Sequence, residues 1–170
     1  MTIRTWNGGT ASFQNPEAWT PQGVPSSGDM LIIETGTSVA RHVDIDGQNI
    51  FFRHSEFALN PVPELVIKGV TISTASRIYT DNIRVPPPVL DFLPGNHGRI
   101  EASGHNINYG TIGAFTGNIV SLGSTLDLDL NAGLFVNEGT LFSRILSTLS
   151  VTATEDAVLK NRVPQQELWV

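Results

Sequence analysis

Cysteine is absent from the 170 residues, which removes disulfide staples, thiolate metal sites and cysteine nucleophiles together. Positive charge is scarce: ten Lys and Arg against sixteen Asp and Glu leave a net charge of −6. The cations are scattered singly, so no basic stripe is available to neutralise phosphates, and nucleic acid is excluded as a partner. No apolar run nears the roughly 18 residues a membrane helix needs, so no transmembrane segment is expected. The opening MTIRTWNGG lacks the apolar stretch of a leader, so no secretory signal peptide is read there. Helical periodicity is nearly missing. The best helix candidate is TATEDAVLKNRV, where Thr154 would cap EDAVLK, and the same run reads equally well as a strand. Gly-x-Ser-x-Gly elbows, phosphate loops and His-x-x-x-His pairs do not occur.

What is present is strand material. Apolar residues make up 40% of the chain, enough for one domain with a real core. MLIIET (30–35), SVARHVDID (38–46), NIFFRH (49–54), ELVIKGVTIS (64–73) and RIYTDNIRV (77–85) are short runs rich in β-branched or aromatic residues. RIEASG (99–104), NINYGTIGAF (106–115), NIVSLGSTLDLDL (118–130), GLFVNEGTLFS (133–143) and ILSTLSVTA (145–153) follow. Gly, Asn, Pro or Ser bound each run, which is the signature of strands joined by turns. No loop between them has room for a helical crossover. The fold class is therefore all-β.

Spacing narrows the architecture. INYGTI (107–112) and FVNEGTLF (135–142) share an apolar-Asn-x-Gly-Thr-apolar frame, and VLKNRV (158–163) reads as a degraded third copy. Asn108 and Asn137 are about 29 residues apart, and Asn161 follows about 24 further on. A period of this length predicts a solenoid in which each repeat is one coil. Between the copies TLDLDL alternates strictly, so one of its faces is inside and the other outside. Asn at equivalent places in stacked coils would form an amide ladder across about 4.8 Å. The expectation is a right-handed parallel β-helix of five or six coils, with a cap over residues 1–28, coils over 29–163 and a tail over 164–170. An antiparallel β-sandwich or jelly roll is the alternative. Inward positions are expected at Leu31, Ile33, Ile50, Val66, Ile72, Ile83, Ile112, Ile119, Leu126, Leu128, Leu130, Phe135 and Leu141.

The stretch TWNGGTASFQNPEAWTPQGVPSSGDMLII, with Trp6-Asn7-Gly8-Gly9, Phe13, Asn15-Pro16, Trp19, Gly23-Val24-Pro25 and Gly28-Asp29, resembles the opening segment of bacterial exported and surface β-helical proteins. These include autotransporter-like passengers and haemagglutinin-like adhesins. The resemblance covers about the first 35 residues and implies a location at the cell surface or outside the cell. Physical chemistry assigns the segment a task on its own terms. The end of a β-helix exposes unpaired backbone and apolar core, and Trp6, Phe13 and Trp19 each bury on the order of 150–250 Å², enough to plug it. Pro21 and Pro25 remove edge donors. The functional alternative is a sugar-stacking platform built from Trp6 and Trp19.

Few residues suggest chemistry. Asp127 and Asp129 share a face of the alternating strand, roughly 6.6 Å apart, the low end of the separation in an inverting glycosidase; the same pair could seat Ca²⁺. They are the catalytic candidates, against the plainer reading of a solvated strand face. Asp44 and Asp46 in VDIDGQN resemble part of a calcium loop without its closing Glu, so a turn is expected there. GNHGRIEASGHN could bring His97 and His105 together in space, with Arg99 and Glu101 as companions; these four are ligand-binding candidates. No metal site is expected, and Ca²⁺ is the one cofactor kept in view. VPPPVLDFLPG (85–95) breaks the rhythm and reads as a polyproline II stretch that shields a flank or forms a homo-oligomer contact.

The functional expectation is a non-catalytic structural or adhesive module of a bacterial surface or exported assembly, with carbohydrate or another protein as partner. The rival is a polysaccharide lyase or hydrolase of the β-helix type, for which Lys68, Arg84 and Arg99 are the mid-chain cations. A third reading is an oligomeric assembly part such as a phage fibre segment.

Overall fold

The protein's architecture comes from a computed structural model that describes residues 1–54, 61–80, 96–114, 124–143 and 147–162. Its strands are β1 (Ile3–Trp6), β2 (Thr10–Ser12), β3 (Trp19–Thr20), β4 (Met30–Ile33), β5 (Thr37–Arg41), β6 (Asn49–Phe52), β7 (Glu64–Lys68), β8 (Thr71–Ile72) and β9 (Arg77–Thr80). They continue as β10 (His97–Asn108), β11 (Thr111–Ala114), β12 (Thr125–Asn137), β13 (Thr140–Ser143), β14 (Thr148–Ala153) and β15 (Ala157–Asn161). A 3-10 turn at Pro16–Ala18 is started by Asn15, whose side-chain oxygen accepts the Glu17 N–H at 3.1 Å. Among the described residues no helix is long and apolar enough to cross a membrane. The tail run that reads as helix or strand is a strand: Glu155 and Asp156 form a turn, and β15 follows.

The strands form two sheets. The first runs β13-β11-β9-β6-β4-β1-β3 and the second β14-β12-β10-β7-β5-β2, with β8 on the later part of β10 and β15 on the later part of β12. Every described pairing is parallel except β1 with β3. An antiparallel sandwich or jelly roll does not fit these registers. β1 and β2, within the segment expected to act as a cap, extend the two sheets in parallel with β4 and β5. β3 alone turns back, closing that edge of the first sheet.

Alternation along each strand builds the core. In the first sheet Leu31, Ile50, Ile78, Ile112 and Leu141 lie in one register column; in the second, Leu65, Ile100, Leu128 and Val151 do. Within these columns Leu31, Ile50, Ile78, Ile112, Leu65, Ile100 and Leu128 are fully buried, each worth about 1.5–3 kcal/mol of burial. Trp6, Phe13 and Trp19 join the same core. Trp19 meets Trp6 edge-on at 4.9 Å and Phe13 at 5.6 Å, and its Nε1 donates to the Phe13 carbonyl at 2.9 Å.

One inward expectation fails. Val66 lies on the outer face, and Leu65 and Ile67 point in. A run of three apolar residues carries no phase of its own; the flanking Glu64 and Lys68 set it, because both must reach water. Ile83, Ile119, the 85–95 segment and the 164–170 tail lie outside the described residues.

The second sheet bends where the backbone turns left-handed. Gly104 (φ 72°) and Gly133 (φ 99°) are register partners in the middle of β10 and β12, and His42 (φ 51°) is a non-glycine in that conformation. At Gly133 nothing larger fits, since a Cβ there would stand 2.4 Å from the Gly104 carbonyl oxygen. Beyond the bend the Asn ladder is in place. Asn108 Nδ2 donates to Asn137 Oδ1 at 2.7 Å, and Asn137 Nδ2 donates to Asn161 Oδ1 at 3.0 Å.

Candidate functional site

The richest cluster of ionisable side chains in the described residues lies on the outer face of the second sheet, before the bend. Because β10 alternates, His97, Arg99 and Glu101 point outward while Gly98, Ile100 and Ala102 are buried. Gly98 admits the Phe52 ring, which would be 2.3 Å from a Cβ at that position. Packing beneath the strand therefore holds the backbone between His97 and Arg99. β12 supplies Asp127 and Asp129 in the same way, above buried Leu126, Leu128 and Leu130. Register then places Arg99 beside Asp127 on one side and Glu64 on the other, with Glu101 beside Asp129.

The side chains reach diagonally across this register. Arg99 Nε donates to Asp129 Oδ2 at 2.5 Å, Nη1 lies 3.3 Å from Glu64 Oε1, and Nη2 lies 4.0 Å from Glu101 Oε2. One guanidinium thus serves three carboxylates. Asp129 also accepts from the Thr152 hydroxyl on β14, and Glu64 from the Thr37 hydroxyl on β5 at 3.2 Å. His97 Nε2 contacts Asp127 Oδ2 at 2.8 Å.

The electrostatics follow from these contacts. The hydrogen bond to Asp129 raises the Arg99 pKa beyond its ordinary value against the opposing pull of burial, and the charges of Asp129, Glu64 and Glu101 add to it. Burial on its own would push Asp129 up, but the Thr152 hydroxyl and the Arg99 guanidinium outweigh it and hold the carboxyl below its ordinary value. Asp129 is therefore an anion across the neutral range. A general acid needs the opposite shift.

Of the residues singled out in the sequence, His97, Arg99, Glu101, Asp127 and Asp129 come together on this face. His105 does not join them. It lies eight residues along the same strand β10, past the Gly104 bend and exposed, roughly 25 Å of chain from His97. Trp6 and Trp19 are core residues at 3% and 0% exposure, so neither offers a ring face to a sugar. Asp44 and Asp46 flank buried Ile45, which forms a parallel bridge with Ile72 where a turn was expected, and Asp44 Oδ1 accepts the Thr71 N–H at 3.2 Å. Lys68 stands at the far end of β7 from the cluster, and Arg84 lies outside the described residues. Among the described residues no group of three or more His, Asp or Glu is arranged to hold a metal ion. Between Glu64, Glu101 and Asp129, the Arg99 guanidinium occupies the place a cation would take.

Glu64, Thr37 and Thr152 were missed by the sequence reading. Each belongs to a different strand, and only the parallel register reveals them as neighbours. Compared with models of protein families, with curated proteins and with solved structures, the chain matches none of them.

Proposed function

We propose that this chain is a non-catalytic module of the right-handed parallel β-helix type. It serves a structural or adhesive role in a bacterial surface or exported assembly, with carbohydrate or another protein as its partner. The architecture is supported by strands that return, pass after pass, to parallel pairing with the preceding pass. A right-handed path is the hand that parallel crossovers take. The non-catalytic reading is supported by one observation: Arg99 and Asp129 satisfy each other, and Asp129, held ionised, is not poised as a general acid. A polysaccharide panel, scored for retention and for unsaturated-product absorbance with and without Ca²⁺, tests this. Retention without turnover is expected. Absorbance that rises with turnover and vanishes in Asp127→Ala would transfer the chain to the lyases.

A second reading, a component of a larger oligomer, is favoured by the C-terminal end. Among the described residues, the last members of two core columns of the second sheet are Val151 and Leu159, 41% and 39% exposed, although their register partners Leu128 and Phe135 are buried. Light scattering on the eluting protein separates the two, a monomer supporting the module and a larger species the assembly part.

A further inference from the structure

The outer face of the first sheet carries two rows of side chains that neither the strand pattern nor the Asp pair announced. In the inner row Ile32, Phe51, Tyr79, Gly113 and Phe142 are consecutive register partners. Phe51 and Tyr79 stand 6.1 Å apart between ring centroids with their planes tilted by 54°, and Tyr79 and Phe142 meet edge-on at 5.7 Å and 74°. Gly113 makes the second contact possible. A Cβ there would lie 2.5 Å from Phe142 Cε1, so the Phe142 ring crosses the glycine to reach Tyr79. All three rings are half-buried and run as a line along the stack rather than around a cavity. The second row, two residues earlier on each strand, is Met30, Asn49, Arg77, Thr111 and Thr140.

Among the described residues, charge on this face has the opposite sign from the cluster around Arg99. Arg77 is exposed beside Tyr79. Arg53 extends β6 by one rung, its N–H on the Ile33 carbonyl at 3.0 Å, and alternation puts it on the face of Phe51. Its Nε is buried and has no acceptor among the described residues, while Nη1 is 3.9 Å from Glu34. Two guanidinium groups thus bracket the Phe51–Tyr79 pair. Glu34, 52% exposed, is the one carboxylate placed with them among the described residues.

We propose that this face binds an acidic polysaccharide, its apolar C–H patches lying against the row of Phe51, Tyr79 and Phe142 while Arg53 and Arg77 take its anionic groups. A line of rings in which each step is comparable with one sugar unit suits a polymer. Guanidinium is the side chain that pairs a carboxylate or sulfate in two-pronged fashion. Aromatic rings supply apolar contact area at low entropic cost. The acidic cluster around Arg99 would repel the same polymer, which confines it to the first sheet. This inference rests on the adhesive reading above and narrows its partner.

The test uses the full chain in affinity electrophoresis through gels containing polygalacturonate, chondroitin sulfate or neutral galactan. Retardation by the acidic polymers and not by galactan is expected, with the two acidic gels telling carboxylate from sulfate. Arg77→Glu, on an exposed side chain, should weaken retardation by about ten-fold or more with an unchanged melting temperature, and Arg77→Lys should keep part of it. Tyr79→Leu should weaken it through lost ring contact, and Glu101→Gln on the second sheet should leave it intact. Equal retardation of Arg77→Glu and the parent chain overturns the site, as does retardation by galactan alone, though the latter leaves the adhesive reading standing. Silence in every gel overturns the acidic-glycan proposal, and binding to a surface protein would then be what remains of the adhesive reading.

Discussion

Replacing Asn137 by alanine strikes the middle of the amide ladder. Asn137 accepts from Asn108 at 2.7 Å and donates to Asn161 at 3.0 Å and to the Gly139 carbonyl at 3.3 Å. Asn108 and Asn137 are 0% and 1% exposed, so water has no route to the groups left behind. The substitution strands the Asn108 amide donor, removes the donor to Asn161 and opens a small cavity. At roughly 1–3 kcal/mol for a stranded buried group plus the cavity, the loss comes to about 3 kcal/mol. Asn161→Ala, at the exposed end of the ladder among the described residues, leaves an Asn137 donor unmet beside an exposed position and should cost less, about 1 kcal/mol. Asn137→Asp keeps the shape and the bond from Asn108 but turns both donor contacts into lone-pair repulsion and buries a charge, so it should cost at least as much as alanine. Urea unfolding curves for the three variants, read through midpoint and slope, supply the numbers. Equal costs for Asn137→Ala and Asn161→Ala would refute the reasoning, because a ladder whose middle is worth no more than its end is not holding the stack together.

Trp19→Ala should destabilise by about 3–5 kcal/mol, since the indole is fully buried and its Nε1 serves the Phe13 carbonyl; thermal unfolding checks it, and an unmoved midpoint would mean the ring does not plug the core. Asp29 is 2% exposed, and although burial pushes its carboxyl up, the Ser26 and Thr2 N–H groups, the Arg4 guanidinium and the Ser26 hydroxyl bring it from 3.8 to about 2. Because the folded value is the lower one, this stabilisation, about 2 kcal/mol, is full above pH ~4 and drains away as pH falls toward 2. Asp29→Asn should flatten that part of a stability–pH curve, and parallel curves for the two proteins would contradict it. Gly133→Ala combines a left-handed φ of 99° with a 2.4 Å approach to the Gly104 carbonyl, so a loss of at least about 2 kcal/mol is expected from chemical denaturation. A near-neutral result would show that the bend has room to relax.

Sequence by itself determined which residues become strands and, where the alternation is clean, which way they face. TLDLDL put Leu126, Leu128 and Leu130 inside and both Asp side chains outside because successive Cβ atoms must alternate across a pleated strand. The repeated Asn-x-Gly frame likewise announced the ladder, even in its degraded copy at Asn161. In Leu65-Val66-Ile67 the apolar run by itself left the phase open, and only its charged flanks Glu64 and Lys68 set it. Tertiary structure alone decided which strands lie side by side and in what register. That choice joined Glu64, Arg99 and Asp129, kept His105 away from His97 on one continuous strand, and lined up Phe51, Tyr79 and Phe142 over Gly113. The physical reason is that facing is a local steric property of the backbone, legible residue by residue. Register is a collective one, set by ladder hydrogen bonds, core columns and the lengths of the connections between passes, and no short stretch of this chain contains it.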